Sequence, residues 1–256
     1  MTAIVLYEVL HCLVAVCAAV WLFFRAVHGA ERSALYVLAG AAACLFLGDV
    51  YWLAHLIIRG EPPTIFSACD VAYIGFLLMF NAALPRVEPR HSLRCPFTLC
   101  MAAFALFNAA AWMVWTGVWF NNLLWGIPML VLALHSAMLA DQRLSSARCG
   151  VFFASLVLLV ICEASVLAGG VRSVAGPLCT VLWVLAFGQL AFLLKGTGSL
   201  KRLQVPAWAL LTFFCECASF LAQGAVYYGF QVVTMACFVC GAMAAVREGG
   251  ARHAVW

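Results

Sequence analysis

Five carboxylates stand inside long apolar stretches: Glu8, Asp49, Asp70, Glu163 and Glu216, half of the ten acids in the chain. A carboxylate at a bilayer centre costs roughly 2.5–3.5 kcal/mol on insertion scales, so such groups face a bundle interior or a water-filled cavity. Several have a polar neighbour at helical spacing. Glu8 and His11 are three residues apart, as are Asp70 and Tyr73, with Phe66 one turn before Asp70. Thr212, Glu216, Ser219 and Gln223 form a polar stripe on one helix face. An imidazole or phenol beside a carboxylate supplies a hydrogen-bond partner and lowers the cost of burying it. Tyr227 and Gln231 add polar groups nearby. Acids arranged this way suit a cationic or polyhydroxylated ligand, or protons. A pair of them could also work as general acid and base.

The elements that carry these residues must be membrane helices. Of 256 residues, 67% are hydrophobic and 9% charged. A soluble domain has about 25% charged residues, and disorder requires low hydrophobicity and high charge. A formal charge of +4, spread along the chain, also argues against a nucleic-acid partner. The expected fold is all-α: a polytopic bundle of nine transmembrane helices, with eight as the alternative. The spans are placed at 3–24, 34–58, 65–84, 97–116, 119–140, 149–169, 173–194, 205–223 and 226–246. Residues 95–140 lack Asp, Glu, Lys and Arg and are too long for one span, so a turn is placed at Thr116-Gly117. A second turn is placed at Gln223-Gly224, because glycine accepts positive φ.

The cations test this count. Arg25, Arg32, Arg86, Arg90, Arg94, Arg143, Arg148, Lys195, Lys201, Arg202, Arg247 and Arg252 fall on one side of nine spans, and only Arg59 and Arg172 on the other. The positive-inside rule then puts the N-terminus outside and the C-terminus in the cytoplasm of an inner membrane. One domain over 1–246 and a short cytoplasmic tail over 247–256 are expected. No Lys or Arg precedes the first apolar stretch, so it reads as a retained helix rather than a cleaved signal. At ~1.5 Å per helical residue, all five acids lie about 9–15 Å from the outer ends of their spans. One acidic pocket opening outward is the simplest arrangement.

Other features read as packing. Twelve of the thirteen cysteines lie within or at the ends of spans, and Cys95 falls in a cytoplasmic loop. Cysteine packs as a small apolar residue. Cys237 and Cys240 have CxxC spacing, but no second such pair exists, and no metal or cofactor is expected. Trp115, Trp119 and Trp125 are expected to form an aromatic belt around the turn after Thr116. Pro128 and Pro177 are the prolines expected inside spans. Three hairpins share a pattern of an acid two turns before the outer end, a loop, and an aromatic-bearing return helix. They contain Asp49, Glu163 and Glu216.

The stretch LGDVYWLAHLIIRGEPPTIFSACDVAYIGFLL, residues 47–78, resembles the membrane-embedded sensory regions of bacterial diguanylate cyclase-type signalling proteins. Gly48, Asp49, Trp52, Gly60, Pro62, Pro63, Ser67, Asp70 and Tyr73 carry the resemblance. It implies a sensory role, here with a separate cytoplasmic output protein as partner, because only about ten residues follow the last span. A fainter resemblance to the lysoplasmalogenase family rests on Gly48-Asp49, with Cys162-Glu163 at the second acidic position. It implies hydrolysis of a lysolipid vinyl ether, with Asp49 and Glu163 as the catalytic pair. The leading expectation is a ligand- or ion-sensing membrane module. Its site would comprise Glu8, Asp49, Trp52, Asp70, Tyr73, Glu163 and Glu216. The hydrolase and a small cation-coupled transporter are the alternatives. Partners expected are membrane lipids, a small cationic or polar ligand, and the output protein.

Overall fold

The structure is a computed structural model that describes residues 2–29, 32–63, 66–86, 96–116, 119–141, 146–169, 175–195, 200–222 and 224–253. Among these residues all regular structure is helical. The elements are α1 (Thr2–His28), α2 (Arg32–Arg59), α3 (Ala68–Ala82), α4 (Pro96–Thr116), α5 (Trp119–Asp141), α6 (Ser146–Gly169), α7 (Ala175–Lys195), α8 (Leu200–Leu221) and α9 (Ala225–His253). Seven are long and apolar enough to cross a membrane, and the protein is a multi-pass membrane protein. The apolar parts of α3 and α8, Ala68–Ala82 and Val205–Phe220, are shorter. The 15 residues of α3 span about 22 Å, less than a hydrocarbon core of about 30 Å.

Large apolar side chains face outward as well as inward. On α1, Glu8, His11, Cys12, Ala15, Leu22 and Ala26 are buried, while Leu6, Leu10 and Leu13 are each more than half exposed. Lipid is as apolar as leucine, so exposing leucine to lipid costs nothing and small and polar residues take the helix contacts. Ala39, Ala41 and Ala42 do this on α2.

The chain forms two compact units, Met1–Pro85 with Ala242–Trp256, and Arg86–Gly241, where one domain over 1–246 was expected. In the first unit α1 packs on α2 and α2 on α3. Gly48 lets α3 approach closely: a Cβ there would stand 2.7 Å from Tyr73 Cε1. Gly60 ends α2 at φ +76°, a left-handed conformation that glycine adopts without penalty. In the second unit α4 pairs with α5 and α6 with α7, and α8 packs on α5 and α7. Its interior is aromatic. Phe214 lies 4.6 Å from Trp183 and 5.5 Å from Phe104. Phe220 lies 4.0 Å from Trp112 and 5.4 Å from Trp125.

Several expectations change. Trp125 is buried against Phe220 instead of standing in an interfacial belt, whereas Trp119 is exposed. α8 begins at Leu200, ahead of the expected 205, and includes Pro206, a proline not among those expected inside spans. α9 runs to His253, so the helix continues through Arg247–His253, where a tail was placed after 246. Helical backbone bonds persist past the apolar segment because Val246–His253 holds no proline, and its two glycines weaken a helix without ending it. Gly224 adopts φ +56°, as a turn between α8 and α9 requires. Gly117, Gln223, Cys95 and the loop cations Arg90, Arg94, Arg143 and Arg172 lie outside the described residues.

Candidate functional site

The first unit gathers four polar side chains from three helices. Glu8 and His11 come from α1, Asp49 from α2 and Tyr73 from α3. Asp49 is 2% exposed and bonded on both oxygens. Its Oδ2 lies 2.7 Å from His11 Nδ1, and its Oδ1 accepts a 2.9 Å bond from the Tyr73 hydroxyl. Glu8 is buried and within electrostatic reach of both Asp49 and His11. The thiol of Cys12 is also in electrostatic reach of Asp49 and Glu8. The Tyr7 ring stacks on His11 at 5.5 Å. Geometry explains the convergence. His11 lies about 14 Å from the start of α1, and Asp49 about 15 Å from the end of α2. Antiparallel packing brings them to one depth. Tyr73 starts nearer its helix end and reaches the same level through the length of its side chain.

Asp70, expected in the same site, has a different task. α3 starts at Ala68 rather than at 65, so Asp70 falls in the first turn instead of about 9 Å inside the helix. Its Oδ2 accepts a 2.7 Å bond from the Ser67 backbone N–H and a 3.3 Å bond from the Ser67 hydroxyl. That is the reciprocal arm of a capping box, which starts a helix by satisfying otherwise orphaned donors. Trp52 is half-buried on α2. The residues of the 47–78 stretch therefore divide by role. Gly48, Asp49 and Tyr73 lock α2 to α3, Gly60 ends α2, and Ser67 with Asp70 begins α3. His55 bonds the Glu61 carbonyl at 2.9 Å and ties the loop to α2.

The second unit holds Glu163 and Glu216. Glu216 is half-buried; Gln231 donates to its Oε2 at 3.5 Å and to Ser219 Oγ at 3.1 Å. Thr212 spends its hydroxyl on the Trp208 carbonyl at 2.9 Å. Glu163 is wholly buried, and neither carboxyl oxygen has a hydrogen bond. Trp183 lies beside it, but its indole N–H is not placed to close a hydrogen bond and is itself unpaired. In each of the three hairpins noted from the sequence, the acid thus meets a side chain of the return helix: Asp49 with Tyr73, Glu163 with Trp183, and Glu216 with Gln231.

Within its own unit the carboxylate beside Asp49 is Glu8, while Glu163 belongs to the other unit. Two cavities are apolar. One of about 570 Å³ in the first unit is lined by Val20, Phe23, Phe24, Tyr36 and Ala39 among others. The other, of about 380 Å³, lies in the second unit. None of the five acids lines either cavity. Among the described residues no three His, Cys, Asp or Glu side chains converge as a metal site would.

Two features escape sequence reasoning. The Asp49–His11 pair joins residues 38 positions apart, and no local spacing signals it. The cysteines also meet between helices. Cys215 contacts Cys237, and Cys179 contacts Cys162. None of the four is in a disulfide. Cys237 is therefore matched with Cys215 on another helix, whereas the CxxC spacing pointed to Cys240. No family model matches this chain, and neither a curated protein nor a solved structure matches it.

Proposed function

We propose that the first unit is a membrane-embedded proton-sensing module, with Glu8, His11, Asp49 and Tyr73 as the responsive cluster. The observation that carries this reading is the buried Asp49, bonded to His11 and Tyr73 with Glu8 alongside. Two carboxyls and one imidazole in a low-dielectric interior favour a fixed number of shared protons, because adjacent like charges there repel strongly. Adding a proton changes which bonds the cluster makes. If it goes to His11, an Asp49–imidazolium pair forms. If it goes to Asp49, one of its two acceptor oxygens becomes a donor and must exchange partners. Either change alters the tie between α1, α2 and α3, a small two-state element of the kind that switches use.

The topology that suits this role has nine spans, with α3 and α8 as short crossings. The N-terminus is outside, the C-terminus in the cytoplasm, and the cluster in the outer half of an inner membrane. The resemblance of 47–78 to sensory regions of diguanylate cyclase-type proteins points the same way. The response would pass to a separate cytoplasmic output protein.

Infrared difference spectroscopy of the protein in lipid nanodiscs tests the reading. Stepping the pH from acid to neutral should remove a protonated-carboxyl carbonyl band. Asp49→Asn or Glu8→Gln should abolish or shift that band, and Asp70→Asn should leave it in place. A spectrum in which neither a carboxyl nor an imidazole band titrates, or bands indifferent to both variants, overturns the proposal.

A further inference from the structure

We propose that the groove between α1 and α2 in the first unit holds an acyl chain of an anionic glycerophospholipid, with the headgroup at the hairpin end of the two helices. The groove measures about 570 Å³ and is apolar, within the usual size of small-molecule sites, about 300–1,000 Å³. Ala19, Ala39 and Ala43 carry too little side chain to fill it, and Phe23, Phe24 and Tyr36 flank them. The three aromatic residues are each more than two-fifths exposed, so the groove opens on the surface that faces lipid. α1 ends at His28 and α2 begins at Arg32. At ~1.5 Å per residue the groove therefore runs from about 6 Å to about 16 Å below that end. An acyl chain anchored by a headgroup at the interface lies along the same path.

An apolar recess at this depth meets acyl chains, and a recess left unfilled forfeits the dispersion contacts of its walls. Tyr36 gives the occupant a polar end. It lines the groove one turn from the start of α2, and among the described residues its hydroxyl has no hydrogen-bond partner. A phosphate or ester oxygen of the lipid accepts from it, at the level where tyrosine favours the membrane interface. Charge selects the headgroup. Arg25 is exposed in the last turn of α1, and α2 opens with Arg32, one turn before Tyr36. The single acid at this end of the hairpin is Glu31. Cations beside a membrane surface strengthen the binding of anionic lipid about fivefold each. A second copy of the chain seated in the groove would bring two such cationic ends together, which disfavours that occupant.

The full chain in detergent micelles tests this with a trace of phosphatidylglycerol that carries a diazirine on one acyl chain. Light should attach the probe to residues 19–24 and 36–43, read by peptide mass. Unlabelled phosphatidylglycerol should compete for these two segments at least about fivefold better than phosphatidylcholine. Ala43→Trp fills the groove and should abolish labelling there. Arg32→Gln should keep the labelling and cut the preference for phosphatidylglycerol about fivefold. Asp49→Asn, which alters the proton-sensing cluster, should label as the wild type does. Labelling spread over the exposed faces of all the helices, equal competition by the two lipids, or a cross-link between two copies through these segments would overturn the proposal. If Ala43→Trp fails to fold, the competition on the wild-type protein decides.

Discussion

The Tyr73 hydroxyl donates to Asp49, and a double-mutant cycle can isolate how much of its contribution runs through that bond. Asp49 is 2% exposed, and its two acceptor bonds measure 2.7 and 2.9 Å. Hydrogen bonds to charged groups contribute roughly 1.5–3 kcal/mol in soluble proteins. Between membrane helices the measured couplings average about 0.6 kcal/mol and reach about 1.7. Tyr73→Phe should therefore destabilise by about 1 kcal/mol. Asp49→Ala should cost more, about 2–4 kcal/mol, because it leaves the His11 imidazole and the Tyr73 hydroxyl without their partner, at roughly 1–3 kcal/mol for each orphaned group. Once Asp49 is gone, losing the Tyr73 hydroxyl should cost nothing further or even help. The coupling energy should fall between about 0.5 and 2 kcal/mol. Reversible unfolding in mixed micelles gives all four corners of the cycle. Tyr36→Phe is the control partner: it sits on α2 thirteen positions before Asp49, about 20 Å along the helix, and its ring packs edge-on to Phe23. Its cycle with Asp49→Ala should be additive. Additivity within about 0.3 kcal/mol for Tyr73 as well would refute the claim that the Asp49–Tyr73 bond ties α2 to α3.

Two further changes separate packing from capping. Gly48→Ala places a methyl 2.7 Å from the Tyr73 ring, so α3 or the ring must move. A loss of about 1–3 kcal/mol is expected, and the same substitution in a Tyr73→Leu background should cost clearly less, measured by the same unfolding assay. Asp70→Asn removes the charged arm of the capping box; a loss of about 0.5–2 kcal/mol is expected, with the pH response of the Glu8–Asp49 cluster intact in the infrared spectrum.

Much of the fold is legible in the chain because the membrane enforces it. Every span must satisfy its backbone internally, so long apolar runs become helices whatever their neighbours do. The ends of α4 and α5 at Thr116 and Trp119 follow from that rule, as does the break at Gly224. Deviations occur where local bonding outranks hydropathy. α3 begins at Ala68 because Ser67 and Asp70 cap it there, although the apolar run starts earlier. α8 begins at Leu200 because a polar helical turn precedes its apolar part.

The candidate site divides along the same line. Composition and position determined that Glu8, Asp49 and Glu163 would lie inside long apolar helices, and Glu216 inside a shorter one. Helical spacing also linked Glu8 to His11, because residues three apart share a face. It equally placed Asp70 beside Tyr73, yet those two side chains serve different partners, Ser67 and Asp49. Only the packing of α1, α2 and α3 decided that His11, Asp49 and Tyr73 form one hydrogen-bonded group. Only the packing of α6 to α8 left Glu163 unbonded beside Trp183. Sequence period assigns a side chain to a helix face. Which neighbouring helix that face meets, and at what height, depends on contacts between residues remote in the chain, such as Gly48 against the Tyr73 ring, and no local pattern encodes them.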